Sequence, residues 1–158
     1  ENVLLAPSVS YGKRMFGEVS TRIKALPGEI IDLFFSLNIS NQKLTNLLGI
    51  MMTDRLFFEY MYETYREALI IGTKDFEDSS ARIFFKNKSE QSDKVAQYTE
   101  ETKGRLAAAY KTYLKEANLI VENNGILVYN KPIIDIKLES EMKNPFLYPY
   151  LRTLTGVL

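Results

Sequence analysis

Glu59 and Glu63 stand four residues apart in a stretch, residues 55–71, whose apolar positions recur at helical spacing. That interval puts both carboxylates on one helix face, where a pair suits acid/base work or a hard cation. Glu139 and Glu141 make a second pair. Neither pair has a third ligand or a basic partner at a telling interval. A solvated stripe on an otherwise apolar helix accounts for the first pair more simply. The chain of 158 residues contains no histidine and no cysteine. Ser-His-Asp triads, cysteine nucleophiles, imidazole or thiolate zinc sites and disulfides are therefore excluded. The sequence also lacks a Gly-x-Ser-x-Gly turn and a glycine-rich phosphate loop ending in Gly-Lys-Ser/Thr. The residues point away from an enzyme, and no cofactor or metal is expected.

Cations offer a different chemistry. Lys13, Arg14, Arg22 and Lys24 fall in an amphipathic segment, residues 11–26. Ser8, Ser10, Gly12, Gly17, Ser20 and Thr21 share its polar side. Small and hydroxyl residues between lysines let a phosphate backbone approach closely, and a hydroxyl-rich helix N-terminus suits phosphate. A second cluster, Lys103, Arg105, Lys111 and Lys115, lies in residues 99–118, with Lys111 and Lys115 one turn apart beside an apolar stripe. Lys131 follows a candidate hairpin and would reach the same backbone. Ordinary solvated faces, with lysine stems lying over the edge of the core, are the competing explanation for both clusters.

The charge balance limits how strong such binding would be. Lys and Arg number 20 against 20 Asp and Glu, so the net charge is zero, which disfavours a strongly electrostatic nucleic-acid binder. The distribution is uneven: residues 1–26 carry four basic and two acidic groups, and residues 29–71 carry three basic and six acidic groups. Ten tyrosines and nine phenylalanines raise the option of base stacking. Most of them occupy core spacing, while Tyr148 and Tyr150, around Pro149, fall outside any clear pattern.

The elements that must position these groups are mostly helical. Apolar residues make up 46% of the chain and charged residues 25%, ordinary for a globular domain of this length. In residues 11–26, Tyr11, Met15, Phe16, Val19, Ile23 and Leu26 predict a helix with one buried face, stopped by Pro27-Gly28. Ser8 or Ser10 would cap it. Short helices follow over residues 29–37 and 43–53, the latter capped by Ser40 or Asn41. Asp54 caps residues 55–71, apolar around most of the circumference and so central, ending at Gly72. Another helix begins at Thr73 or Asp75, and residues 86–94, KNKSEQSDK, read as a loop.

The long helix of residues 99–118 buries Leu106, Tyr110, Tyr113, Leu114 and Ala117. Asn124-Gly125 between two β-prone runs is a hairpin signal, because both residues tolerate positive φ. Short helices over residues 135–143 and 150–154 close the chain. The expected fold is mainly α: a compact multi-helix bundle in a single domain spanning residues 1–158, with one small C-terminal β-hairpin at about residues 119–130. No apolar run approaches the roughly 20 residues that span a bilayer. No membrane association and a cytoplasmic location are expected.

Three phrases carry a family resemblance: ENVLLAPSVSYGKRMFGEVSTRIKALPGEIIDLF, LLGIMMTDRLFFEYMYETYREALI and TKGRLAAAYKTYLKEANLIVENNGILV. Together they resemble the BrxA family of bacterial BREX phage-defence systems over nearly the whole chain. The resemblance implies a mostly helical protein similar to the NusB-like bundles, with affinity for double-stranded DNA and no known catalytic site. It also implies a further helical DNA-binding segment ahead of the ENVL phrase, so an N-terminal portion is expected to be missing here. The family has no motif sharp enough to assign contacts. Lys13, Arg14, Arg22, Lys24, Lys103, Arg105, Lys111, Lys115 and Lys131 are therefore candidates from the residues alone. The expectation is a non-enzymatic, DNA-associating accessory component with weak sequence preference, alongside other BREX proteins. The alternative is an interaction scaffold without DNA contact, presenting Glu59, Glu63 and Glu67, or an aromatic near Tyr148–Tyr150, to a partner protein.

Overall fold

Caps and breaks set where each helix starts and stops. The computed structural model describes residues 6–157. Ser8 opens α1 (Val9–Ala25), its Oγ accepting the Tyr11 N–H at 3.2 Å. Pro27 turns the chain into α2 (Gly28–Phe34). The cap of α3 (Ile39–Thr53) is Asn38, whose Oδ1 accepts the Asn41 N–H at 2.9 Å; neither Ser40 nor Asn41 takes that place. Asn41 is buried instead. It accepts the Asp135 N–H at 2.9 Å and donates to the Ile133 carbonyl at 3.3 Å, clamping the late chain onto α3.

Asp54 caps the next helix as expected, Oδ1 to the Phe57 N–H at 3.0 Å. This helix has three parts: α4 (Arg55–Tyr60), a π turn (Met61–Tyr65) and α5 (Arg66–Ile71). Gly72 ends it at φ 81°, the left-handed conformation that glycine adopts without strain. Phe57, Tyr60, Met61 and Tyr65 are all buried, so the helix is central to the bundle.

Two expectations are corrected in the following stretch. Residues 73–77 are not helical, and Asp75 bridges to Val128 of the hairpin. The Phe76 N–H donates to the Leu127 carbonyl and the Tyr129 N–H to the Lys74 carbonyl, both at 2.8 Å, so backbone pairing displaces the helix start. Residues 86–94 are not a loop either. They lie mostly within α6 (Ser79–Gln91) and α7 (Asp93–Ala96). Composition misleads there because Lys88, within the polar run, is buried with its ammonium between Glu59 and Glu63.

Thr99 caps α8 (Glu100–Glu116), its Oγ1 accepting the Thr102 N–H at 3.1 Å. Asn118, at φ 57°, turns the chain out of this helix into β1 (Ile120–Asn123). The strand pairs antiparallel with β2 (Ile126–Tyr129), Ile120 opposite Tyr129 and Asn123 opposite Ile126. Asn124 at φ 52° and Gly125 at φ 80° make the tight turn the dipeptide signalled. Asp135 caps α9 (Ile136–Met142), and α10 (Tyr148–Thr155) follows.

The core joins α2 through α10, centred on an aromatic cluster. Tyr110 lies 5.0 Å from Phe57, 5.1 Å from Tyr60 and 6.0 Å from Phe85, between ring centres. Helix α1 is the exception. None of its residues is buried, so the expected buried face is open. The architecture is the expected mainly helical bundle with one C-terminal hairpin. Among the described residues no helix is long and apolar enough to cross a membrane.

Candidate functional site

The carboxylate pair on the central helix is not free for catalysis. Lys88 Nζ lies 3.0 Å from Glu59 Oε2 and 2.5 Å from Glu63 Oε1, and Arg55 Nε lies 2.9 Å from Glu59 Oε1. Burial pushes the Lys88 ammonium down, but its bonds to Glu63 and Glu59 outweigh that and hold it above the usual lysine range. For Glu59, burial works upward; Arg55 and Lys88 outweigh it and hold the carboxyl below the usual range. A structural ion cluster has this signature. Glu67 is likewise engaged, 3.1 Å from the buried Arg66, whose guanidinium also lies 4.5 Å from the Tyr62 ring centre. Tyr150 packs on Phe58 at 4.8 Å, while Tyr148 stays at the surface. Glu59, Glu63 and Glu67 thus each take part in an ion pair within the fold, while Glu63 and Glu67 keep 39% and 46% of their side-chain surface exposed. Among the described residues no group of acidic side chains is placed to hold a metal.

The nine candidate cations divide into paired and unpaired sets. Arg14 and Arg22 flank Glu18 at 3.9 and 4.0 Å. Lys103 pairs with Glu100 at 3.0 Å and Arg105 with Glu101 at 2.5 Å, both within the first turns of α8. Lys111 Nζ reaches Asp78 Oδ1 at 2.8 Å, across from α8 to the segment before α6. Lys13, Lys24, Lys115 and Lys131 are exposed and have no ion pair among the described residues.

The fold brings part of these sets together. The Arg22 guanidinium lies 5.8 Å from the Tyr113 ring centre, so the C-terminal half of α1 comes near the last turn of α8. Gly49 of α3 makes that approach possible, since a Cβ there would come within 3.2 Å of Arg22 Cβ and its carbonyl oxygen. At the same C-terminal end of α8 the Asn118 N–H donates to the Lys115 carbonyl at 3.0 Å, and Asn130 Nδ2 donates to the Asn118 carbonyl at 2.7 Å. Lys115 and Lys131 are thereby held at one corner. Lys103 and Arg105 sit at the opposite end of the same 17-residue helix and do not join them.

Two features escaped the sequence. Arg82 and Lys86 of α6 line a groove with Lys103, but Glu90 and Glu100 line it too. A second groove, of about 400 Å³, runs between α1, α2 and α3 and is almost wholly apolar. Val19, Ile23, Leu26, Ile31, Phe34 and Phe35 form most of its wall. The amphipathicity of residues 11–26 was the available signal, but periodicity does not say whether a face is covered.

These surfaces lie on a chain whose relatives are identifiable. The family model of BrxA matches residues 1–144, which include all nine cations and the hairpin and stop short of α10. The chain belongs to the BrxA family. It is similar to the BREX protein BrxA of Bacillus cereus (strain H3081.97), with 32% identity over 143 residues covering 90% of this chain and 72% of that relative. Family membership carries no named catalytic activity and assigns no residue a role.

Proposed function

We propose that this protein is a component of a BREX phage-defence system that associates with duplex DNA through backbone phosphates. The observation that supports this is the set of unpaired cations: Lys115 and Lys131 are held at one corner by the Asn118–Asn130 bonds. Lys13 and Lys24 stand on the outer side of α1. Between them, Thr21 turns its hydroxyl inward to the Gly17 carbonyl at 2.9 Å, so this side is low and smooth enough for a phosphate backbone. Arg14, Arg22, Lys103, Arg105 and Lys111 are left out of the contact set, because each already faces a carboxylate.

Contacts of this kind carry no base information, so binding is weakly sequence-selective and weakens as salt rises. A fluorescence-anisotropy titration of a labelled duplex at low and moderate salt tests the assignment. Charge reversal of Lys115 and Lys131 together weakens binding about tenfold or more and flattens the salt slope by about two. Reversal of Arg105, which is paired to Glu101, changes little. Absence of binding at low salt, or equal loss from Arg105→Glu, refutes the reading.

A further inference from the structure

Residues 73–77 extend the hairpin by a short third strand whose outer edge is open. The strand bonds to β2 through the Lys74 carbonyl and the Phe76 N–H, on either side of the Asp75–Val128 bridge. In an antiparallel pairing the N–H and C=O of one residue point to the same side, and successive residues alternate sides. Both backbone groups of Asp75 therefore point away from β2. Neither has a hydrogen-bond partner among the described residues, and the Glu77 N–H has none either. Phe76 is buried beneath this segment, while Thr73, Asp75 and Glu77 are exposed. An edge of this kind is a template for one more strand.

The surroundings of the edge select what pairs with it. A groove of about 460 Å³ runs between residues 73–77, the central helix and α6. Thr73, Asp75 and Glu77 line it from the edge, and Glu63 and Glu67 line it from the central helix. Among the described residues no lysine or arginine lines it. Asp75 has no ion pair, and Glu77 takes only the Ser79 hydroxyl, at 2.8 Å. Lys88 and Arg66, the counter-ions of Glu63 and Glu67, are buried behind them, each bonded to one carboxylate oxygen. Ile71, 75% exposed, and Ile83, 59% exposed, add apolar contact. A second copy paired edge to edge about Asp75 would set that carboxylate against its own equivalent, which is unfavourable. A strand carrying cations on one face satisfies both the open backbone groups and the carboxylates.

We infer that the edge at residues 73–77, with the acidic groove beside it, docks an extended, basic segment of a partner protein by strand addition. The inference stands apart from the DNA reading, which draws its decisive contacts from Lys115 and Lys131.

A labelled synthetic peptide of about nine residues, alternating Lys and Val, is the probe, titrated at moderate salt. One comparison peptide alternates Glu and Val. Another keeps the Lys-Val sequence but is N-methylated at every interior amide, so it retains the charges and cannot pair with a strand edge. The expected result is saturable binding of the Lys-Val peptide and binding at least about tenfold weaker for each comparison peptide. Asp75→Lys with Glu77→Lys reverses the preference between the Lys and Glu peptides. It moves the thermal midpoint little, because both side chains are exposed. Lys115→Glu with Lys131→Glu leaves peptide binding intact, which separates failure of this inference from failure of the DNA reading. No binding, or equal affinity for the Lys and Glu peptides, overturns the inference. So does equal binding of the N-methylated peptide, since charge alone would then account for the contact. Self-association of the protein that Asp75→Lys with Glu77→Lys abolishes also overturns it, because a second copy would then occupy the edge.

Discussion

Lys88 shows how one side chain can reverse the meaning of its surroundings. Its ammonium lies 5.7 Å from the Phe84 ring centre and joins α6 to the central helix through Glu59 and Glu63. Lys88→Met removes one partner of a largely buried cluster and leaves two carboxylates facing each other. The expected cost is about 1–3 kcal/mol, less than for a fully enclosed pair because both glutamates retain some solvent. Urea unfolding of the two proteins measures it. The pH dependence has a definite sign. Glu59 is held below its ordinary value of 4.5, so its contribution is present above that value and is lost as pH falls through the lower folded one. Lys88 is held above 10.5, so its contribution is full below 10.5 and is lost as pH rises through the folded value. The stability gap between the two proteins is therefore level across neutral pH and narrows in acid. Sequence alone showed Glu59 and Glu63 sharing a helix face. Their counter-ion lies on another helix, 25 residues beyond Glu63, and no local pattern connects them.

At the scale of elements, the signals that were legible are those decided within one turn. Ser8, one of two caps offered, and Asp54 cap their helices, Gly72 stops one, and Asn124-Gly125 reverses a hairpin, each through contacts within three residues or through its own φ. The extended path of residues 74–76 was not legible, because it depends on β2, some fifty residues later. The status of α1 was half legible: its amphipathicity is plain in the sequence, but the cover over its apolar side is a tertiary matter. The attachment of α1 rests on the close approach at Gly49. Gly49→Leu puts a side chain where Arg22 Cβ and its carbonyl oxygen already stand 3.2 Å from the Cβ site. The expected outcome is a displaced α1, read as severalfold faster trypsin cleavage after Arg22 and Lys24. The core is spared because α1 buries no residue in it, so the thermal midpoint moves little.

For the molecule as a whole, stability is graded. The hairpin is tied down on several sides: β2 bonds to residues 74–76, and Tyr65 Oη donates to the Asn130 carbonyl at 2.8 Å from the centre of the bundle. Burial without a charged neighbour holds the Tyr65 hydroxyl well above the usual phenol range, so it remains a donor throughout the accessible pH range. Native-state hydrogen exchange is expected to separate two classes of amide. Those of β1, β2 and the central helix exchange only through global unfolding, whereas those of the N-terminal half of α1 exchange through local opening at much lower free energy. A hairpin that exchanged as fast as α1 would contradict the anchoring described above. This gradient divides the candidate surfaces: Lys115 and Lys131 sit on the rigid end, and the apolar face of α1 sits on the yielding one.

The clamp at Asn41 has a consequence for how the chain comes into being. Its two bonds to the later chain, to Ile133 and Asp135, span 92 and 94 residues. During synthesis α3 emerges long before the segment that satisfies the Asn41 amide exists. The nascent protein must hold α3 with the Asn41 amide open to water until residues 133–135 have been made. The Asn41 clamp therefore closes only after the hairpin and the residues just beyond it are present, whatever the order in which the single helices form.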